Sequence, residues 1–225
     1  CIRDSYKTGS DDLTNLPFLK HIAEQGRAMI VSTGMCTLGE VEKAVETIVQ
    51  TGNTQLTLLH CVVSYPSKPE DANLNTITTL QNAFGFPVGL SDHTQNEFTS
   101  ILATQLGATI IEKHLTLDRK MKLPDAEASL TPQEFKILVD RVKMVHLSLG
   151  DGVKQILPTE VKWRKAARKS IFSTCDIPKG TLITEKMITI RRPSDGIHPH
   201  DFHKVINRSA RCHIPANTLL SWDMV

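Results

Sequence analysis

The sequence predicts a parallel α/β fold of the (β/α)8 TIM-barrel type, followed by a small β-rich domain. Three observations predict it. Short continuous apolar runs alternate with amphipathic helical spacings, one strand–helix unit roughly every 20–30 residues. Each apolar run passes directly into a polar cluster, where such folds gather reactive groups at the carboxyl ends of their strands. After Gly150 the rhythm stops, and short strands alternate with turns.

In chain order, Asp4–Ser10 reads as a strand end entering a Gly-containing loop, with Lys7 and Ser10 flanking Gly9. A lysine, a hydroxyl and open backbone N–H groups suit a phosphate, although an ordinary surface turn has the same composition. Leu13–Gln25 carries apolar residues at helical spacing (Leu16, Leu19, Ile22, Ala23), and Gly26 ends it. Ala28–Val31 is a strand apolar on both faces that runs into Ser32 and Thr33. Thr37 with Glu40 forms a capping box for a helix reaching about Gln50. Gln55–Leu59 is a further buried strand, ending in His60 and Cys61 and followed by Ser64, Tyr65 and Pro66; Asp71–Phe84 follows as a helix.

The stretch Val88–Ser129 organises the rest. Val88–Leu90 and Ala108–Ile111 read as strands joined by a helix near Glu97–Leu106. Each strand leads into a cluster ending in histidine, Ser91-Asp92-His93 and Glu112-Lys113-His114. Either histidine alone reads equally as a satisfied side chain at a sheet end. Two at equivalent ends of neighbouring strands point to a shared ligand. Thr131, Pro132 and Glu134 then start a helix whose expected apolar face is Phe135, Leu138, Val142, Val145 and Leu149. Five converging polar ends argue for a barrel-type pocket, yet a closed barrel of this type needs eight units. Either three units lie upstream or the sheet is open. The start at Cys1, with a strand end almost at once, favours something upstream.

The expected division is a barrel portion over 1–150, a polar and basic connecting arm over 151–169, and a β-rich domain over 170–225. A net charge of +2 gives no sign of a nucleic-acid surface. No apolar run approaches the ~20 residues of a membrane span, and the start has no signal-peptide pattern, so the cytoplasm is the expected location. The five cysteines are widely spaced, with no CxxC pair, which fits free thiols in a reducing compartment.

The segments SYKTGS, IVSTGM, LLHCVVSYP, PVGLSDHT, GATIIEKHLTLDR and PDAEASLTPQEF occur in order. With them the chain resembles the bacterial N-acetylneuraminate (sialic acid) synthase family. DIPKGTLIT, RRPSDGI and IPANTLL are similar to the antifreeze-like (SAF) β-clip domain that ends those enzymes. The resemblance implies that the chain begins at the fourth barrel strand. It implies condensation of phosphoenolpyruvate with N-acetylmannosamine, releasing phosphate. Legionaminic or pseudaminic acid synthases and 9-phosphate-forming enzymes are the alternatives within the same reaction class. Carried over by position, the divalent-metal ligands fall on His93 and His114. Phosphoenolpyruvate contacts fall on Lys7, Ser10, Ser32 and Ser91, and sugar contacts on Tyr65 and Asp125. Arg192 corresponds to an arginine supplied across a domain-swapped homodimer. Two positions depart from the family pattern: Val63 stands where relatives carry Asn or Ser, and Thr8 where an aliphatic residue is usual.

Residue chemistry accords with that reading. Two imidazoles with oxygen co-ligands admit Mn²⁺, Mg²⁺ or Co²⁺, Mn²⁺ being the expected ion, and they leave coordination positions open for substrate. His60 reads either as a pocket residue or as a strand cap, Cys61 as a small buried hydrophobe, and Glu112 as an orienting or structural acid. His198, His200 and His203 imitate metal spacing in a loop. A metal-dependent hydrolase would need further His or Asp ligands on other strands. A truncated product or binding module is the non-enzymatic reading, because an incomplete barrel exposes sheet edges and would be unstable or inactive alone.

Overall fold

The computed structural model describes residues 4–121 and 124–225, so Cys1 lies outside the described residues. The chain divides into two compact units, 1–152 and 153–225.

The first unit is built from repeated strand–helix pairs. Its strands are β1 (Ser5–Thr8), β2 (Ala28–Ser32), β3 (Leu56–Cys61), β4 (Val88–Asp92) and β5 (Ile111–Lys113). They form one parallel sheet in the order β1-β2-β3-β4-β5. Between them lie α1 (Leu16–Ala23), α2 (Leu38–Val49), α3 (Asn75–Phe84) and α4 (Phe98–Gln105), and α5 (Pro132–Leu149) follows β5. Sequential order with parallel pairing is half of a (β/α)8 barrel wall.

The sheet is strongly curled. Four strand spacings of ~4.8 Å would hold the first and last strands of a flat sheet about 19 Å apart. Yet Lys7 Nζ on β1 lies 3.4 Å from Glu112 Oε2 on β5. The two edge strands therefore face each other across the concave side, and the polar residues at their carboxyl ends converge there.

The helices begin and end where local chemistry directs. Thr37 and Glu40 close a reciprocal capping box at the start of α2, and Thr131 and Glu134 do the same for α5. Asn15 caps α1 by accepting from the Phe18 N–H, and Pro17 sits in the first turn, so that helix starts three residues later than the apolar spacing alone implies. The third helix likewise starts at Asn75, because residues 69–71 form a separate short turn. Gly85 (φ +70°) ends α3 in the left-handed conformation. β5 begins at Ile111 rather than Ala108 and runs on through Glu112 and Lys113. Thr109 and Ile110 already bond β4, through Thr109 N to Val88 O (2.9 Å) and Leu90 N to Ile110 O (2.8 Å). The expected apolar face of α5 is only partly used: Leu138 is buried, while Leu149 is exposed.

The core lies between sheet and helices. Leu13, Leu19, Met29, Val31, Ile48, Leu58 and Ile77 are almost fully buried there. Thr8 also faces inward, and its hydroxyl has no partner among the described residues. An unpaired buried hydroxyl costs about 1–3 kcal/mol. Thr8→Val is therefore expected to stabilise the protein by about 1 kcal/mol, read as a higher urea midpoint with an unchanged m-value.

In the second unit, α6 (Val161–Ala167) occupies the arm that the sequence reads simply as polar. Its Trp163 is exposed, as are Ile156 and Leu157 before it. β6 (Ser170–Ser173) and β7 (Ile188–Arg191) pair antiparallel, and α7 (Phe202–Val205) follows. Further extended segments meet only at single bridges, among them Ile177 with Ile214 and Leu182 with Ser209. A compact core of Ile171, Ile177, Ile183, Ile188, Ile214 and Leu220 holds these short segments together. Among the described residues no helix is long and apolar enough to cross a membrane. Cys36, Cys61, Cys175 and Cys212 are all free thiols.

Candidate active site

A cavity of about 300 Å³ opens at the carboxyl ends of the five strands. Lys7, Ser10, Ser32, Tyr65, Ser91, His93 and His114 all line it, so the structure gathers side chains from five separate strand ends. The His93 and His114 rings lie 5.2 Å apart between centroids, and Tyr65 lies 4.3 Å from His93 and 5.7 Å from His114. Asp125 approaches from the segment after β5, with Oδ2 3.8 Å from His114 Nδ1. It stands beside the histidine pair and is not part of the cavity lining.

Strand alternation explains the arrangement. Successive side chains point to opposite faces, so Ser91 and His93 share one face of β4 and its extension, and Glu112 and His114 share one face of β5. Glu112 thus belongs to the cavity. Its Oε1 accepts from Ser91 Oγ at 2.6 Å while Oε2 pairs with Lys7. Both of its oxygens are engaged away from the histidines, one by Ser91 and one by Lys7. The period-two pattern in Glu112-Lys113-His114 was the sequence signal for this.

Several donors are already held in place. The Gly34 N–H donates to Ser10 Oγ at 3.0 Å. A Cβ at position 34 would lie 2.8 Å from that oxygen and 2.7 Å from Val63 Cγ2, so this close approach requires glycine. Ser32 Oγ is buried at the cavity wall with no partner among the described residues. Unlike the Thr8 hydroxyl, it borders the cavity, where a ligand oxygen could reach it. Val63 also lines the cavity and offers no hydrogen bond there.

The histidine pair fits a divalent metal. His93 Nδ1–H donates to the Val62 carbonyl at 2.9 Å, which fixes the tautomer and leaves Nε2 as the lone-pair nitrogen. Burial pushes the His93 pKa down and neighbouring His114 pushes it further, against the opposing Val62 bond, so the neutral form required of a ligand is favoured. Among the described residues no group of three or more His, Cys, Asp or Glu side chains forms a metal cage. Two imidazoles alone would leave further coordination positions to substrate and water, which suits a catalytic ion more than a structural one.

Charge in the cavity is unbalanced. Lys7 is the one lysine or arginine among the described lining residues, against the carboxylates of Asp11 and Glu112. A polyanionic ligand requires further positive charge.

Other sequence candidates fall elsewhere. His60 does not line this cavity. Its Nε2–H donates to the Ala72 carbonyl at 2.7 Å, and burial lowers its pKa. Cys61 is buried, but it does reach the cavity wall, with Sγ 3.9 Å from His93 Nδ1. His198 and His200 approach to 2.8 Å between Nδ1 atoms, and His200 pairs with Asp201. His203 instead packs edge-on against Phe202, which breaks the imitation of a three-histidine site. Arg192 is exposed on the second unit.

Residues 3–154 match the model of the NeuB family, and residues 168–225 match the SAF domain. The chain belongs to the NeuB family. Among relatives of this NeuB-family chain is the N,N'-diacetyllegionaminic acid synthase of Campylobacter jejuni, 40% identical over 91% of this chain and 62% of its own. The human N-acetylneuraminate-9-phosphate synthase is 34% identical over 98% of this chain and 62% of its own. A crystal structure of an N-acetylneuraminic acid synthetase from Leptospira borgpetersenii superposes with a TM-score of 0.66, at 36% identity, over 72% of this chain and 57% of that one. This NeuB-family chain therefore spans less than two thirds of these relatives' own lengths.

Proposed function

We propose that the protein carrying these residues is a metal-dependent nonulosonic acid synthase. It condenses phosphoenolpyruvate with an N-acetylated hexose, N-acetylmannosamine in the simplest case, to give N-acetylneuraminate and inorganic phosphate. The observation that carries this reading is the convergence of Lys7, Ser10, Ser32 and Ser91 with the His93–His114 pair in one cavity. The names of the relatives support the reaction class.

C3 of phosphoenolpyruvate bonds to the acceptor's aldehyde carbon, and water adds to C2 before the C2–O bond breaks and releases phosphate. Lys7 and the three serine hydroxyls would hold the anion by charge-assisted hydrogen bonds. A divalent ion bound by His93 and His114, Mn²⁺ as first choice, would supply Lewis-acid polarisation of the aldehyde. Tyr65 and Asp125, beside the two imidazoles, would orient the sugar. The resemblance places Arg192 of a second copy over the cavity, in a domain-swapped homodimer, and the shortage of cations around Lys7 accords with it. Mixing Arg192→Ala subunits with His93→Ala subunits is expected to restore activity; an inactive mixture rules the sharing out.

The relatives named as legionaminic and pseudaminic acid synthases include the 40% identical one. That favours, as a second reading, a diacetylated 6-deoxy acceptor. The deciding assay measures phosphate release from phosphoenolpyruvate with three acceptors: N-acetylmannosamine, its 6-phosphate, and 2,4-diacetamido-2,4,6-trideoxymannose. Release is expected with one acceptor, lost on EDTA treatment and restored by Mn²⁺. Release without any acceptor, or with none of the three, would sink the synthase reading.

A further inference from the structure

Behind the histidine pair, on the opposite face of the same two strands, lies a buried ion pair that the proposed chemistry does not use. Lys113 Nζ is 3.1 Å from Asp92 Oδ2, and the two side chains are 0% and 1% exposed. Asp92 and Lys113 are register partners on β4 and β5. The network around them is complete. Asp92 Oδ1 accepts from the Thr94 N–H and from Thr94 Oγ1, both at 2.8 Å, and Oδ2 accepts from Ser100 Oγ on α4 at 2.6 Å. Lys113 Nζ donates in turn to the carbonyls of Thr94 and Asn96, the latter at 3.0 Å.

Each end of this network abuts one imidazole. His93 lies between Asp92 and Thr94, two residues clamped to each other, and its own carbonyl accepts from the Ser67 N–H at 3.0 Å. His114 is the residue after Lys113. The β4–α4 loop that carries His93 is therefore bonded through Asp92 to α4 and through Lys113 to β5, the strand that leads into His114.

We infer that Asp92 and Lys113 are positioning residues that set the separation of His93 from His114, and so the affinity of that pair for a divalent metal. Burying two charges is a poor route to stability alone, since an apolar pair of similar volume does as well or better. A satisfied network that ties two strand ends and a loop instead fixes geometry. Groups behind metal ligands commonly set affinity in this way. The inference rests on the metal reading given above.

The test is Mn²⁺ binding by the intact protein, followed by the loss of the free-ion EPR signal well below the melting temperature. Lys113→Met keeps the stem volume and leaves Asp92 with its Thr94 and Ser100 donors, so the fold is expected to hold. Binding should weaken about 10- to 100-fold. Ser100→Ala removes one bond to Asp92 and no charge, and should weaken binding less, in the same direction. A merely structural pair would lower the melting temperature and leave the affinity unchanged. Unaltered affinity in folded Lys113→Met overturns the inference. If that variant does not fold, unaltered affinity in Ser100→Ala overturns it. Should the unsubstituted protein bind no Mn²⁺, the metal reading fails first and takes the inference with it. Binding by the parent but equally by both variants sinks the positioning role alone.

Discussion

His93→Ala is expected to lower kcat/KM by about 10³-fold or more, on the order of 4 kcal/mol of transition-state stabilisation. The imidazole is buried and held in one tautomer by Val62, and it stands within ring-contact distance of both His114 and Tyr65. Truncation would remove one of the two proposed metal ligands, and among the described residues no group of three or more His, Cys, Asp or Glu side chains could take over. His114→Ala should behave alike. The informative control is His60→Gln. His60 also occupies a strand end and is also buried, yet its bond runs to Ala72, away from the cavity. Turnover per folded molecule should change by no more than a few-fold. Steady-state assays with phosphoenolpyruvate separate the two outcomes; equal loss in His60→Gln and His93→Ala would mean that general destabilisation, not ligand removal, explains both.

The largest effect on stability is expected from Asp92→Ala. It leaves the Lys113 ammonium buried, with carbonyls and a hydroxyl but no counter-charge, at a cost of about 3–5 kcal/mol. Burial pushes the Lys113 pKa down, against the opposing pull of Asp92. The double variant Asp92→Ala/Lys113→Met removes both charges and should recover much of the loss. Urea melts of the three proteins decide the matter. A double variant no more stable than Asp92→Ala would show that the damage comes from the lost loop bonds, not from the stranded charge.

The strands were legible because buried parallel strands are written as continuous apolar runs, and Ala28–Val31 or Gln55–Leu59 have no other ready use. Where the ladder continues into polar residues, the apolar run stops being a guide. β4 keeps pairing through Ser91 and Asp92, and β5 lies mostly beyond its apolar run. The histidine pair and its ring of serines followed from position alone, since strand ends of this fold converge. The charged contacts did not. Lys7 and Glu112 are 105 positions apart and belong to opposite edges of the sheet, so their meeting depends on a curvature that no local pattern encodes. Asp92 and Lys113 were hidden for another reason: flanking candidate ligands, they read as part of the polar cluster until alternation turns them to the other face. His60 stayed open between pocket and cap, since a strand-end position is necessary for the pocket and not sufficient; its bond to Ala72 decides for the second.

The contact between Lys7 and Glu112 is a chord drawn across an arc. It joins the two outermost strands of the described sheet through the space a ligand would fill. An anion that takes Lys7 takes it from Glu112, so the share of the binding free energy that Lys7 contributes is the difference between two ion pairs. The displaced carboxylate then faces the newcomer, and cations supplied from elsewhere decide whether the exchange goes forward. A partly exposed pair of this kind is worth at most about 1 kcal/mol, so the curvature of the sheet rests on its backbone ladder and survives the exchange.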